Sequence, residues 1–71
     1  MQDLTRKQKM LLEAIEYFVY ENGYSPTYRE LADLIGVKYE SSIYKLILKL
    51  EEKGYIKTKN GKGRTIKVLW V

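Results

Sequence analysis

The sequence contains no cysteine and no histidine. Without cysteine there is neither a disulfide nor a thiolate zinc site. Without histidine the commonest general base and the commonest metal ligand are missing. Carboxylate or Ser–Lys chemistry would remain, but no constellation of residues assembles either. No enzymatic activity, metal or cofactor is therefore expected. No uninterrupted apolar run approaches the roughly 20 residues that a membrane-crossing helix needs. The start, Met1-Gln2-Asp3-Leu4, lacks the basic-then-apolar order of a secretory signal, so a cytoplasmic protein is expected. With 71 residues the chain fits one small domain, whose core cannot enclose a large active site. No small-molecule ligand is expected either.

What is present is charge, unevenly placed. Residues 1–35 carry four basic side chains against six acidic ones, a net of −2. Residues 36–71 carry nine against three, a net of +6. The second half is the candidate surface for a polyanion.

Local signals divide the chain into three helices and a hairpin. Thr5 and Gln8 have the spacing of a capping box, and Leu11, Ile15, Phe18 and Val19 then recur at helical spacing up to Gly23. This predicts a first helix over about residues 6–22. Pro26 biases Ser25 toward an extended backbone. Thr27 and Glu30 form a second capping box, followed by an apolar stripe of Leu31, Leu34 and Ile35 and by Gly36, which predicts a second helix near 28–35. After a turn over Val37 to Glu40, Ile43, Ile47 and Leu50 share one arc of a third helix, near 41–53, before Gly54. Beyond Gly54 the period changes to two. Strands are expected at about 55–58 and 64–69, joined through Asn60-Gly61, a strong hairpin signal. Such a hairpin is unstable alone and must pack on the helices. The expected fold is mainly α with a small β-hairpin: a three-helix winged helix-turn-helix in one domain, 1–71.

That architecture points to double-stranded DNA. In a helix-turn-helix the second helix of the unit enters the major groove near its N-terminal end. The face of helix 3 opposite its apolar arc carries Ser41, Ser42, Lys45 and Lys49, with Lys38, Tyr39 and Tyr44 beside it. Serines permit close approach to base edges but discriminate weakly, so selectivity falls to Tyr39, Tyr44 and Lys45. The first turn of helix 2, with Thr27, Tyr28 and Arg29, offers amides and a guanidinium to phosphate, although Thr27 also serves as a cap. The wing adds Lys59, Asn60, Lys62 and Arg64, which can follow the backbone or enter the minor groove. Lysines on a hairpin also protect an edge strand.

Three segments carry a family resemblance: Leu4-Thr5-x-x-Gln8, Gly23-Tyr24-x-Pro26-Thr27-x-x-Glu30-Leu31-Ala32 and Leu50-x-x-Lys53-Gly54-Tyr55-Ile56. The chain resembles the N-terminal DNA-binding domain of the LexA repressors over residues 4–69, with no gap from Gly36 to Gly54. The resemblance implies a winged helix-turn-helix transcriptional regulator, a repressor from a bacterium or phage. It also implies Tyr39, Ser41, Ser42, Tyr44 and Lys45 as the DNA-reading segment. Tyr39, Tyr44, Lys45 and Leu46 differ from the family's residues at these places, so its operator is not implied. The chain stops at Val71, about where the family's linker begins. The family's self-cleavage and its main dimerisation domain are therefore not carried over.

Leu48 points away from the core arc. It can touch a thymine methyl, meet a second subunit, or stand as an exposed leucine. Leu48, Leu69 and Trp70 are the candidate contacts for a homodimer on DNA or for a protein partner, Trp70 serving alternatively to complete the core. The competing functional reading is a winged-helix interaction module, an antirepressor or adaptor that uses Tyr17, Tyr20, Leu48 and Trp70.

Overall fold

A computed structural model describes residues 3–59 and 64–69. Three helices, α1 (Arg6–Asn22), α2 (Tyr28–Ile35) and α3 (Glu40–Glu52), precede two short strands, β1 (Ile56–Lys57) and β2 (Lys67–Val68). The arrangement is that of a winged helix-turn-helix. Among the described residues, no helix is long and apolar enough to cross a membrane.

Both capping boxes form. The Thr5 hydroxyl accepts from the Gln8 amide at 3.2 Å, and the Gln8 side chain accepts from the Thr5 amide at 3.0 Å. Thr27 and Glu30 repeat the exchange at 3.1 and 2.8 Å. Each box satisfies amides that a helix start leaves without intrahelical partners. Gly36 ends α2 at φ 76°, in the left-handed region. Gly54 follows α3 at φ 85°. Around it, Tyr55 N–H donates to Leu50 O and Gly54 N–H to Glu51 O, the paired bonds of a Schellman motif.

Helix α3 begins at Glu40, one residue before the expected start, and ends at Glu52. Tyr39 has extended dihedrals, and its carbonyl accepts from Ser42 N–H at 3.1 Å, so the first turn already includes Glu40. The acidic side chain there suits the positive end of the helix dipole.

The core draws on every element. Leu11, Leu12 and Ile15 come from α1, Leu31 and Ala32 from α2, and Ile43, Ile47 and Leu50 from α3. Ile56 and Ile66 close it from the wing. Three residues expected in the apolar stripes lie at its margin. Val19 and Leu34 are exposed, and Phe18 is half-buried. At roughly 100° per residue, Ile35 and Ala32 lie to one side of Leu31 and Leu34 to the other, about 60° beyond it, so Leu34 falls past the edge of the buried arc of α2. Phe18 packs edge-on to Tyr24, ring centroids 5.6 Å apart, outside the main core.

The wing pairs over a shorter length than expected. Among the described residues, Ile56↔Val68 and Lys57↔Lys67 are in antiparallel register. Polar partners elsewhere take the groups that a longer ladder would use. Thr58 N–H and Oγ1 turn to the Glu51 carboxylate at 3.1 and 3.4 Å. On the returning arm, Arg64 N–H donates to Pro26 O at 2.9 Å and Ile66 N–H to Ser25 Oγ at 3.1 Å. The Asn60-Gly61 turn lies outside the described residues.

Candidate nucleic-acid interface

The turn from α2 into α3 places the outer face of α3 in solvent. With Ile43, Ile47 and Leu50 fully buried, Ser41, Lys45, Leu48 and Lys49 project from the opposite side, and Ser42 borders them. Their spacing makes this face a consequence of the core: the residues that anchor α3 leave these no other direction. Glu52 shares the face, with Lys49 Nζ 4.0 Å from its carboxylate. Both side chains are largely exposed, so water and salt screen the pair.

Tyr44 stands on the flank nearest α2. Its ring lies 6.2 Å from that of Tyr28, tilted by 49°. Burial, then the neighbouring Tyr44, then Glu51 raise the Tyr28 phenol above its ordinary range. Tyr28 therefore keeps its proton at neutral pH. The two rings brace the start of α2 against α3 and leave Tyr44 44% exposed at the rim of the candidate surface. In the turn, Tyr39 is more exposed still, and the Lys38 ammonium sits 5.5 Å from its ring centroid. Lys38 and Tyr39 thus form one cationic–aromatic unit beside the first turn of α3.

At the start of α2, Thr27 is committed to its capping box. Arg29 is exposed, and Tyr28 is half-buried against Tyr44. The exposed guanidinium stands beside the positive end of the helix dipole, where an anion is favoured.

The wing divides into two chemistries. Lys57 and Lys67 face each other across the two-stranded sheet and, with Thr58, Lys59 and Thr65, line an open cleft of about 390 Å³. Like charges directly opposite in a sheet repel, which makes this a surface that an anion would relieve. Asn60 and Lys62 lie outside the described residues. Arg64 differs from the lysines. Its Nη2 donates to Glu30 Oε2 at 3.1 Å and its Nη1 to Ser25 O at 3.2 Å. Its guanidinium carbon lies 5.0 Å from the Tyr24 ring centroid. The backbone at Arg64 has φ 61°, a left-handed conformation that costs a residue with a Cβ roughly 1–2 kcal/mol. The side chain expected to reach DNA is thus engaged within the chain, and its local strain is held by several contacts at once.

Pattern reasoning from the sequence missed the partners of Arg64. Tyr24, Ser25 and Glu30 carry ordinary local roles, and the contact with Glu30 spans 34 residues. No periodicity signals it. The same holds for Lys53, whose ammonium donates to Gln8 Oε1 at 2.7 Å and to Asp3 O at 2.8 Å, tying the end of α3 to the start of α1.

Residues 1–65 match the family model described as the LexA DNA binding domain. The chain belongs to this family. Among the similar LexA repressors, that of Desulfatibacillum aliphaticivorans is 42% identical over 69 residues, covering 97% of this chain. That of Thermotoga petrophila is 44% identical over 68 residues, covering 96%, and that of Bacillus mycoides is 38% identical over 69 residues, covering 97%. In each case the match takes in 34% of the relative's length. The chain therefore spans about a third of these LexA repressors. As a LexA DNA-binding domain it carries its helix-turn-helix on α2 and α3, and exposed basic side chains stand on α3 and the wing as well as on α1 and at Arg29.

Proposed function

We propose that this chain binds double-stranded DNA in a sequence-dependent way and acts as the operator-reading domain of a transcriptional repressor. The observation that carries the reading is the outer face of α3, in a chain of the LexA DNA-binding domain family. There Ser41, Lys45 and Lys49 stand exposed directly behind a buried anchor of Ile43, Ile47 and Leu50. Tyr39, Ser41, Ser42, Tyr44 and Lys45 approach base edges, while Lys38 and Lys49 meet the flanking phosphates. The start of α2, through Thr27, Tyr28 and Arg29, takes a phosphate. Lys59, Asn60 and Lys62 hold the wing on the backbone or in the minor groove. The chain acts in the cytoplasm on chromosomal or phage DNA and catalyses no reaction. A second copy or a protein partner meets it at Leu48 and Leu69, both exposed, and at Trp70, which lies outside the described residues.

The test is a titration of duplex DNA against salt, followed by selection from randomised duplexes. Affinity is expected to fall steeply with salt, the log–log slope changing by about 0.9 per phosphate neutralised. Selection is expected to return a defined site. Absence of duplex binding at about 50 mM salt would refute the proposal. Binding without any sequence preference would refute its operator-reading part.

A further inference from the structure

We propose that Glu30 and Arg64 work as one positioning unit: the carboxylate that caps α2 also holds the arginine that seats the wing, and so sets where the wing's lysines stand beside α3. The part of this concerning DNA rests on the duplex-binding reading above.

Glu30 uses its two oxygens for different purposes. Oε1 accepts from the Thr27 amide at 2.8 Å, closing the capping box, and Oε2 accepts from Arg64 Nη2 at 3.1 Å. One side chain thereby joins the first turn of the helix-turn-helix to the arm of the hairpin that leads into β2. The joint extends on both sides. Arg64 lies over Tyr24, which packs edge-on against Phe18 of α1. Arg64 N–H is held by Pro26 O, Arg64 Nη1 by Ser25 O, and Ile66 N–H by Ser25 Oγ. Against these ties the wing's own ladder is two residue pairs long. A hairpin so short does not fix its own orientation. Ile56 and Ile66 anchor it to the core and Glu51 holds Thr58, while the returning arm at Arg64 takes its place from the α1–α2 loop and from Glu30.

Charge sharpens the inference. A carboxylate on a DNA-binding domain that acted only through its charge would weaken attraction to phosphate, and its neutralisation would tighten binding. A carboxylate that seats a basic wing has the opposite effect: losing it frees the wing and weakens binding. Arg64, its guanidinium already paired, then contributes to DNA affinity through the geometry it enforces. The direct attraction comes from the exposed Lys57, Lys59 and Lys67.

The experiment compares Glu30→Gln, Arg64→Lys and the double variant. The glutamine amide oxygen still accepts from Thr27, so the helix cap survives while the charged partner of Arg64 is lost. Binding to a mixed-sequence duplex at about 50 mM salt is expected to weaken roughly three- to tenfold for Glu30→Gln, and the double variant is expected to lose no more than Arg64→Lys alone. Amide exchange in the free protein is expected to quicken at Arg64 and Ile66 and to stay unchanged in α1 and α3. Tighter or unchanged binding by Glu30→Gln, additive losses in the double variant, or unchanged exchange at Ile66 would overturn the proposal. A wild-type chain that fails to bind duplex would instead overturn the DNA reading, and the exchange measurement would still decide whether Glu30 seats the wing.

Discussion

The helical body and the wing of this molecule are held by different forces. In the body, Leu11, Ile15, Leu31, Ile43, Ile47 and Leu50 are completely removed from solvent, and burial of apolar surface supplies most of the stabilisation. The wing contributes two core residues, Ile56 and Ile66, and two ladder pairs. Polar ties to the α1–α2 loop, to Glu30 and to Glu51 hold the rest of it. Apolar burial has no preferred direction, but the buried side chains of the body are close-packed and relax little when one is trimmed. Hydrogen bonds and the Arg64–Glu30 pair are directional, so beyond the anchors Ile56 and Ile66 the position of the wing depends on each polar partner staying in place.

The largest expected effect lies in the body. Ile47→Ala should destabilise the fold by about 2–5 kcal/mol, because it leaves a cavity at a fully buried site between helices. Ile66→Ala should cost about 2 kcal/mol, the low end of that range, since the wing can relax around a residue at the margin of the core. Both are read from denaturant midpoints. Equal losses would break the contrast by showing that the wing is as much a part of the core as α3.

Gly36→Ala should follow at about 1 kcal/mol. An added Cβ there meets no atom within 4 Å, so the cost is the backbone conformation at φ 76° alone. A loss well above this would mean that the turn transmits strain into α2 and α3.

Acid should separate the two regions. The backbone hydrogen bond with Thr27, followed by the bonds and charge of Arg64, holds the Glu30 carboxyl below its ordinary value of 4.5. A carboxyl lowered in the folded state stabilises the fold above its unfolded value, and that contribution disappears as pH falls through the folded one. The stability of wild type and Glu30→Gln should therefore differ at neutral pH and converge only as pH falls through the lowered folded value of Glu30. Glu16 opposes this trend, since burial and then Glu13 raise its carboxyl, so its ionisation disfavours the fold as pH rises through the raised value. Parallel profiles for wild type and Glu30→Gln would show that the Arg64 contact adds nothing to the folded state.

The smallest effect belongs to the exposed face of α3. Lys49→Ala should change stability by less than about 0.5 kcal/mol, because its partner Glu52 is screened by solvent. The same variant should reduce the salt dependence of duplex binding by about one unit of log–log slope. A variant that lost stability and left the slope unchanged would assign Lys49 to the fold.

Helix identities, both capping boxes and the glycine stops were legible from residues alone, because each depends on partners within one or two helical turns. So was the outer face of α3. Burial of Ile43, Ile47 and Leu50 fixes the helix rotation, and a period of 3.6 residues leaves Ser41, Lys45 and Lys49 outside. Leu34 departs from its expected place because α2 is rotated so that its buried arc runs from Leu31 through Ile35 to Ala32, which leaves Leu34 past the edge. The wing was legible as a hairpin and illegible in its seat. Its short ladder, the bond from Ile66 to Ser25 across 41 residues and the ion pair of Arg64 with Glu30 across 34 come from segments with no shared periodicity. Local backbone chemistry could specify three helices and a turn. Only closure of the chain on itself could bring the carboxylate of one capping box to an arginine in the wing.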